Sequence, residues 1–286
     1  MIYHCLLQLV KILLAIFFKR VIVTGRENIP EKGPLIIVAN HPNTFMDPIL
    51  VASITDQRIG FVGNAGVFSN KIVAAVLRYF HVIPIYRKKD VQPGEQPDNN
   101  EAFSKCHQYL NGGNMLLIFP EGTSYYELKL REIKTGTARI ALSYEAMRNF
   151  EGNLKILPVA LDYSDSIQFR SIVSVTISEP ISVQAYKELY AHDEFESVNA
   201  LTRKIRDELG RHVPQTAGKE QEDFLIKAHK FYAAYFEPEA DLYTNPKRSL
   251  ALRKQLSQAL VYIQRHDEQL YHETQTKVQL FFSLLK

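Results

Sequence analysis

Short apolar runs recur along this chain, each separated from the next by a stretch of helical periodicity, and that alternation constrains the fold more than any other feature. Strands are expected at residues 21–24, 35–39, 59–62, 82–85, 115–119, 154–161 and 172–177. Helical patterns fill 48–55, 70–80, 101–110 and 134–148. Strands joined through helices are the sequence mark of βαβ units. The expected class is α/β, a mostly parallel central sheet flanked by helices. Past Glu179-Pro180 the pattern turns helical from about residue 183, with a break at 212–218 (HVPQTAG), and 219–286 reads as two or three helices. The chain therefore divides into an N-terminal helix over 1–20, an α/β domain over 21–213 and a helical C-terminal extension over 214–286. Residues 88–100 (KKDVQPGEQPDNN) are polar and rich in turn formers, an exposed loop.

Composition excludes several classes. With 286 residues, 46% apolar and 23% charged, neither a disordered chain nor a polytopic membrane protein is expected. A net charge of +3, from 34 basic and 31 acidic side chains, lacks the excess of a dedicated nucleic-acid binder. Two cysteines, Cys5 and Cys106, supply neither a disulfide framework nor a cysteine-rich zinc site, and they fit a reducing compartment.

Residues 2–18 (IYHCLLQLVKILLAIFF) are the most apolar stretch, followed by Lys19 and Arg20. The run is short for a membrane span and carries Lys11 near its middle. His4, Gln8 and Lys11 share one helix face, as in a helix lying in a membrane interface with its apolar side down. A core-docked amphipathic helix and a spanning helix are the alternatives. A secretory signal fits poorly, because no basic start precedes the run and no small-residue cleavage site follows it.

Five constellations carry chemistry. The first, Asn40-His41-Pro42-Asn43-Thr44-Phe45-Met46-Asp47-Pro48, directly follows an apolar strand, where α/β proteins place reacting groups. Asp47-Pro48 reads as an N-cap followed by proline at the first helical position. A turn between His41 and Asp47 would let the carboxylate reach the imidazole, the arrangement for general base catalysis on a hydroxyl. Spacing alone favours the plainer reading, a loop histidine and a capping aspartate. The second, Phe119-Pro120-Glu121-Gly122-Thr123-Ser124, also follows an apolar strand. Gly122 permits unusual backbone angles there, and Glu121 can accept from ligand hydroxyls. The third, Ile83-Pro84-Ile85-Tyr86-Arg87, ends in a guanidinium suited to phosphate, and the fourth, Lys134-Thr135-Gly136, opens a helix. An ordinary strand-to-turn junction and a surface arginine are the commoner readings of the second and third, and plain helix capping explains the fourth as well. The fifth, residues 156–161 (ILPVAL), is core wall or substrate tunnel.

Taken in order, these blocks resemble the glycerol-3-phosphate and 1-acyl-glycerol-3-phosphate acyltransferase family: NHPNTFMD, IPIYR, FPEGTS and ILPVAL stand where that family carries its His…Asp, arginine, FPEGT and proline-centred strand motifs. The likeness runs from about Thr24 to Ile181. It implies an enzyme in which His41, oriented by Asp47, deprotonates a glycerol hydroxyl that attacks an acyl thioester of coenzyme A or acyl carrier protein. Arg87, Glu121, Gly122, Thr123 and Lys134 would hold the glycerol phosphate. The resemblance implies no cofactor beyond the thioester co-substrate, no metal and no nucleic acid. It also implies association with the cytoplasmic face of a membrane and a place in phospholipid biosynthesis.

Two departures matter. Five residues separate His41 from Asp47 where the family usually has four, a spacing that resembles the glycerol-3-phosphate and dihydroxyacetone phosphate acyltransferases. Ser124 stands where an arginine often follows the FPEGT threonine, so Lys129, Arg131 or Lys134 would supply the charge. The competing readings are a remodelling acyltransferase on another lysolipid, a non-catalytic lipid-binding relative and a serine hydrolase. The last is disfavoured by the lack of a G-x-S-x-G elbow.

Overall fold

The computed structural model describes residues 2–86, 90, 98–127, 129–166, 168–216, 218–237 and 245–284. The strands are β1 (Arg20–Thr24), β2 (Leu35–Ala39), β3 (Ile59–Asn64), β4 (Val82–Ile85), β5 (Met115–Ile118), β6 (Lys155–Tyr163), β7 (Ile172–Ile177) and the short β8 (Ile181–Ser182). They form one sheet in the order β1-β7-β6-β2-β5-β3-β4, with β8 beside β6. The five strands from β6 to β4 run parallel, while β7 lies antiparallel to β6 and β1 parallel to β7. The mostly parallel sheet thus carries a reversed pair at one edge.

Ten helices are seen among the described residues: α1 (Ile2–Phe17), α2 (Met46–Ser53), α3 (Lys71–Tyr79), α4 (Asn100–Asn111), α5 (Gly136–Ala146), α6 (Lys187–His192), α7 (Glu194–Gly210), α8 (Lys219–Tyr235), α9 (Pro246–His266) and α10 (Glu268–Leu284). A parallel sheet covered on both faces explains why its central strands read as unbroken apolar runs. In β2 the side chains alternate between two core layers. Ile36 and Val38 pack with Cys106 and Leu110 of α4, Ile140 of α5 and Leu201 of α7. Leu35, Ile37 and Ala39 pack with Leu14 of α1, Phe18, and Leu50 and Val51 of α2. Helices α8, α9 and α10 gather around a separate cluster of Phe224, Leu225, Leu260 and Tyr271.

Three local expectations change. β6 continues two residues past Leu161, because Asp162, which interrupts the apolar pattern, is buried against the Arg253 guanidinium of α9. An amphipathic helix flanking a sheet ordinarily turns its apolar face to the core. Instead α3 turns Ile72, Val73, Val76 and Tyr79 to the outside, and Ala74 is its buried residue. α1 is apolar on two sides. Leu7 and Leu14 are buried, while Leu9, Ile12, Leu13 and Ile16 are half or more exposed. Lys11 reaches Asp56 at 2.8 Å, while Gln8 on the same side is exposed.

The Asp162–Arg253 pair ties the C-terminal helices to the sheet, with both side chains about 95% buried. Burial pushes the Asp162 carboxyl up, even with the guanidinium against it. Removing one partner would leave a buried uncompensated charge, so Arg253→Ala should cost about 3–5 kcal/mol in a urea unfolding curve. The apolar double replacement Asp162→Leu/Arg253→Met should recover most of that loss. Equal losses in the single and double variants would show that the charges do not act as a pair.

Candidate active site

The register of the sheet decides what meets at its carboxyl edge. Val38 of β2 lies opposite Ile118 of β5 and Pro158 of β6. The segments after β2 and β5 therefore leave the sheet at the same level, and β6 runs on beside them as a wall. His41 and Glu121 each lie three residues past a paired position, which brings them together. The backbone N–H of His41 donates to Glu121 Oε1 at 2.8 Å, and the N–H of Arg131 donates to Oε2 at 3.1 Å. Glu121 is buried, and burial raises its carboxyl although both amides oppose the shift. Its two oxygens thus pin two loops. Further links are Tyr125 N–H donating to His41 O at 3.2 Å and a hydroxyl pair between Thr44 and Ser124.

His41 Nδ1 lies 2.8 Å from Asp47 Oδ2. The structure brings the pair together by a route other than the expected one. α2 starts at Met46, and Asn43 Oδ1 accepts from the N–H groups of Phe45 and Met46 at 3.2 and 3.1 Å. Asp47 is therefore not the N-cap. With those first amides served by Asn43, its carboxylate turns back to the imidazole. Asn43 N–H also donates to Asp47 Oδ2 at 2.7 Å, and the Tyr163 hydroxyl donates to Oδ1 at 2.5 Å. Asp47 is fully buried, and that burial raises its carboxyl, opposed by the hydrogen bonds from His41 and Tyr163.

A carboxylate on Nδ1 fixes the proton there, leaving Nε2 of the neutral ring as the acceptor. The ring is stacked on Phe119 with centroids 3.9 Å apart and planes 12° from parallel. Its side chain keeps 13% exposure, and Nε2 makes no hydrogen bond among the described residues. A base held by a buried acid, stacked on a ring and open at one nitrogen can take a proton from a bound hydroxyl.

The other expected residues are placed unevenly. Gly122 has φ 72° and donates to Phe119 O at 3.0 Å, so the chain reverses there in a conformation that favours glycine. Thr123 donates its hydroxyl to Gly122 O at 2.8 Å. Lys134 is anchored through its N–H to Pro120 O at 2.7 Å, and its largely exposed side chain passes beside Gly122. Of the other cations considered for the position of Ser124, Arg131 forks onto both oxygens of Glu127 and lies over the Tyr125 ring. Lys129 stands 3.5 Å from the same carboxylate. Arg87 lies outside the described residues, as does most of the 88–100 loop. A groove of about 740 Å³ beside β4 and α4 is lined by Arg58, Arg78, His81, Tyr86 and Lys105, and neither His41 nor the 119–124 bend borders it. Among the described residues no three His, Cys, Asp or Glu side chains cluster as metal ligands.

Sequence reasoning missed three contributors. Asn40 exchanges two hydrogen bonds with the backbone of Leu161, at 2.8 and 2.7 Å, adding one rung to the β2–β6 pairing. Asn43 caps α2 and donates to Ser166 O at 2.5 Å. Tyr163 reaches Asp47 from 116 residues away, which no local spacing announces.

Comparisons with known proteins identify the family and the fold. A family model described as acyltransferase matches residues 20–162. Glycerol-3-phosphate O-acyltransferase 2 of Saccharomyces cerevisiae is 34% identical over 116 residues, 40% of this chain and 16% of that protein. The chloroplastic 1-acyl-sn-glycerol-3-phosphate acyltransferase LPAT1 of Arabidopsis thaliana is 27% identical over 57% of this chain and 44% of its own length. A 1-acyl-sn-glycerol-3-phosphate acyltransferase of Borreliella burgdorferi is 28% identical over 66% of this chain and 70% of its own. The chain thus spans less than half the length of the first two relatives. The crystal structure of the 1-acyl-sn-glycerophosphate acyltransferase PlsC from Thermotoga maritima shares the fold, with a TM-score of 0.50 and 22% identity over 71% of this chain and 77% of that one. The matched family segment is half of the chain and contains His41, Asp47 and Glu121, so this protein belongs to the acyltransferase family.

Proposed function

We propose that this chain transfers a fatty acyl group from a coenzyme A or acyl carrier protein thioester to the hydroxyl of glycerol-3-phosphate or its 1-acyl derivative, at a membrane surface, in phospholipid biosynthesis. The observation that carries the reading is the His41 Nδ1–Asp47 Oδ2 contact of 2.8 Å, which leaves Nε2 as the base. Nε2 takes the hydroxyl proton as the oxygen bonds to the thioester carbonyl carbon. The tetrahedral intermediate then expels the thiolate, which takes the proton from the imidazolium. An ester and a free thiol result, with no covalent acyl-enzyme. Glu121 fixes the loop that carries His41, while Gly122, Thr123, Lys134 and Arg87 receive the acceptor phosphate. The five-residue His41–Asp47 spacing and the yeast relative's name favour glycerol-3-phosphate as acceptor.

The test offers purified protein glycerol-3-phosphate or the 1-acyl form with each thioester. Ester and free thiol should appear in equal amounts. Free fatty acid without an acylated acceptor would mean a hydrolase, and binding of lipid without either product a non-catalytic relative.

Membrane association rests on α1. No described helix is long and apolar enough to cross a membrane. The exposed residues Leu9, Ile12, Leu13 and Ile16 form one stripe at helical spacing, suited to an interface on the cytoplasmic face. Deleting residues 1–20 would also uncover the core at Leu14 and Phe18, so surface substitutions are the cleaner probe. Leu9→Ser/Ile12→Ser should cost about 2–3 kcal/mol of vesicle partitioning, roughly 30- to 150-fold, with folding intact. Unchanged sedimentation with vesicles would defeat the role of α1.

A further inference from the structure

Tyr163 closes β6, and its ring is fully buried against Phe18, with centroids 6.0 Å apart. A buried phenol is costly without a partner, and phenylalanine would fill the same space without that cost. Here the hydroxyl is used. It donates to Asp47 Oδ1 at 2.5 Å, while Oδ2 accepts from His41 Nδ1 and Asn43 N–H. Three donors from two segments, two in the loop between β2 and α2 and one at the end of β6, thus fix the rotation of one carboxylate. The titratable groups facing Asp47 are His41 and Tyr163, and Glu121 touches His41 through its backbone amide. Burial and the neighbouring carboxylate hold the Tyr163 phenol well above its usual range, so it remains a donor.

We propose that Tyr163 is a positioning residue for the His41–Asp47 pair: its hydroxyl holds the Asp47 carboxylate in the rotation that presents Oδ2 to His41 and tempers the negative charge that the imidazolium feels. Losing that donor leaves the lone Asp47 anion less stabilised. Both protonation steps of the coupled pair then move to higher pH, and the acid limb of the rate profile moves with them. The kinetic readout rests on the acyl-transfer reading above; the coupling itself does not.

The test is Tyr163→Phe, which removes one oxygen and keeps the ring. The expected result is a roughly tenfold fall in kcat, an acceptor KM changed by less than about twofold, and an acid limb displaced upward. On an Asp47→Asn background the same change should have a diminished effect on kcat, because the negative charge through which Tyr163 acts is gone. A variant that loses only melting temperature, with wild-type kcat and an unmoved acid limb, overturns the proposal. So does an undiminished effect on the Asp47→Asn background. If Tyr163→Phe does not fold, 3,5-difluorotyrosine placed at 163 strengthens the donor and should move the acid limb downward, and no movement overturns the idea. If the wild type transfers no acyl group, the NMR titration of the His41 ring nitrogens still decides: an upward shift in Tyr163→Phe supports the coupling, and an unchanged titration refutes it.

Discussion

His41→Ala should abolish acyl transfer, lowering kcat roughly 10³- to 10⁴-fold, with the fold retained. In the proposed reaction the imidazole nitrogen takes the proton of the acceptor hydroxyl, and general base catalysis is worth that order of rate. Its loss removes the stack on Phe119 and one of three donors to Asp47. The loop itself is held by other means: Glu121 grips the backbone amide of residue 41, and Asn40 and Asn43 tie the flanks to β6 and its following turn. A circular dichroism spectrum and a melting curve close to wild type are therefore expected. Residual transfer within tenfold of wild type would remove His41 from the base role, whatever the state of the fold.

Asp47→Asn should lower kcat roughly 10²- to 10³-fold with little change in acceptor KM. The carboxylate accepts three hydrogen bonds, and a carboxamide of the same shape cannot accept all three. If its oxygen keeps the Tyr163 hydroxyl, the amide group faces the N–H of Asn43 and pushes His41 toward the tautomer that blocks Nε2. If the amide flips, the Tyr163 proton loses its acceptor. In both orientations the negative charge that stabilises the imidazolium is gone. Wild-type turnover in this variant would reduce the aspartate to a structural tie.

The same carboxylate sets an expectation for pH. Burial raises its pKa, so as pH falls the folded protein takes up this proton before the unfolded chain does. The sign follows: acidification through that raised value adds to stability from Asp47 while it removes the anion the reaction needs. Asp162 and Glu121, also raised by burial, act in the same direction. Activity should therefore fall on the acid side before the melting temperature does, and a joint fall of both would contradict the assignment.

Much of this arrangement is legible along the chain. Apolar runs of four to eight residues between helical segments identify a covered parallel sheet, because strand and helix periods are local properties of sequence. The order of the His…Asp, FPEGT and proline-centred blocks brought His41, Asp47 and Glu121 to attention. Local pattern also misled where a polar residue finds a distant partner. Asp162 ended the expected strand too early because its partner, Arg253, is 91 residues away, and that error hid Tyr163. The Asn43 cap was likewise hidden behind the more obvious Asp47-Pro48 signal.

The sequence alone determined which segments are strands and helices and which residue types stand ready at strand ends, since neighbours within a few residues decide both. Only the tertiary structure decided what each polar group does. Register between β2, β5 and β6 assigned Glu121 to two backbone amides and Tyr163 to Asp47. It also turned the apolar faces of α1 and α3 outward. The physical reason is range: backbone periodicity acts over one or two turns, whereas a buried donor finds its acceptor wherever the packed sheet delivers one, here 80 to 121 residues along the chain.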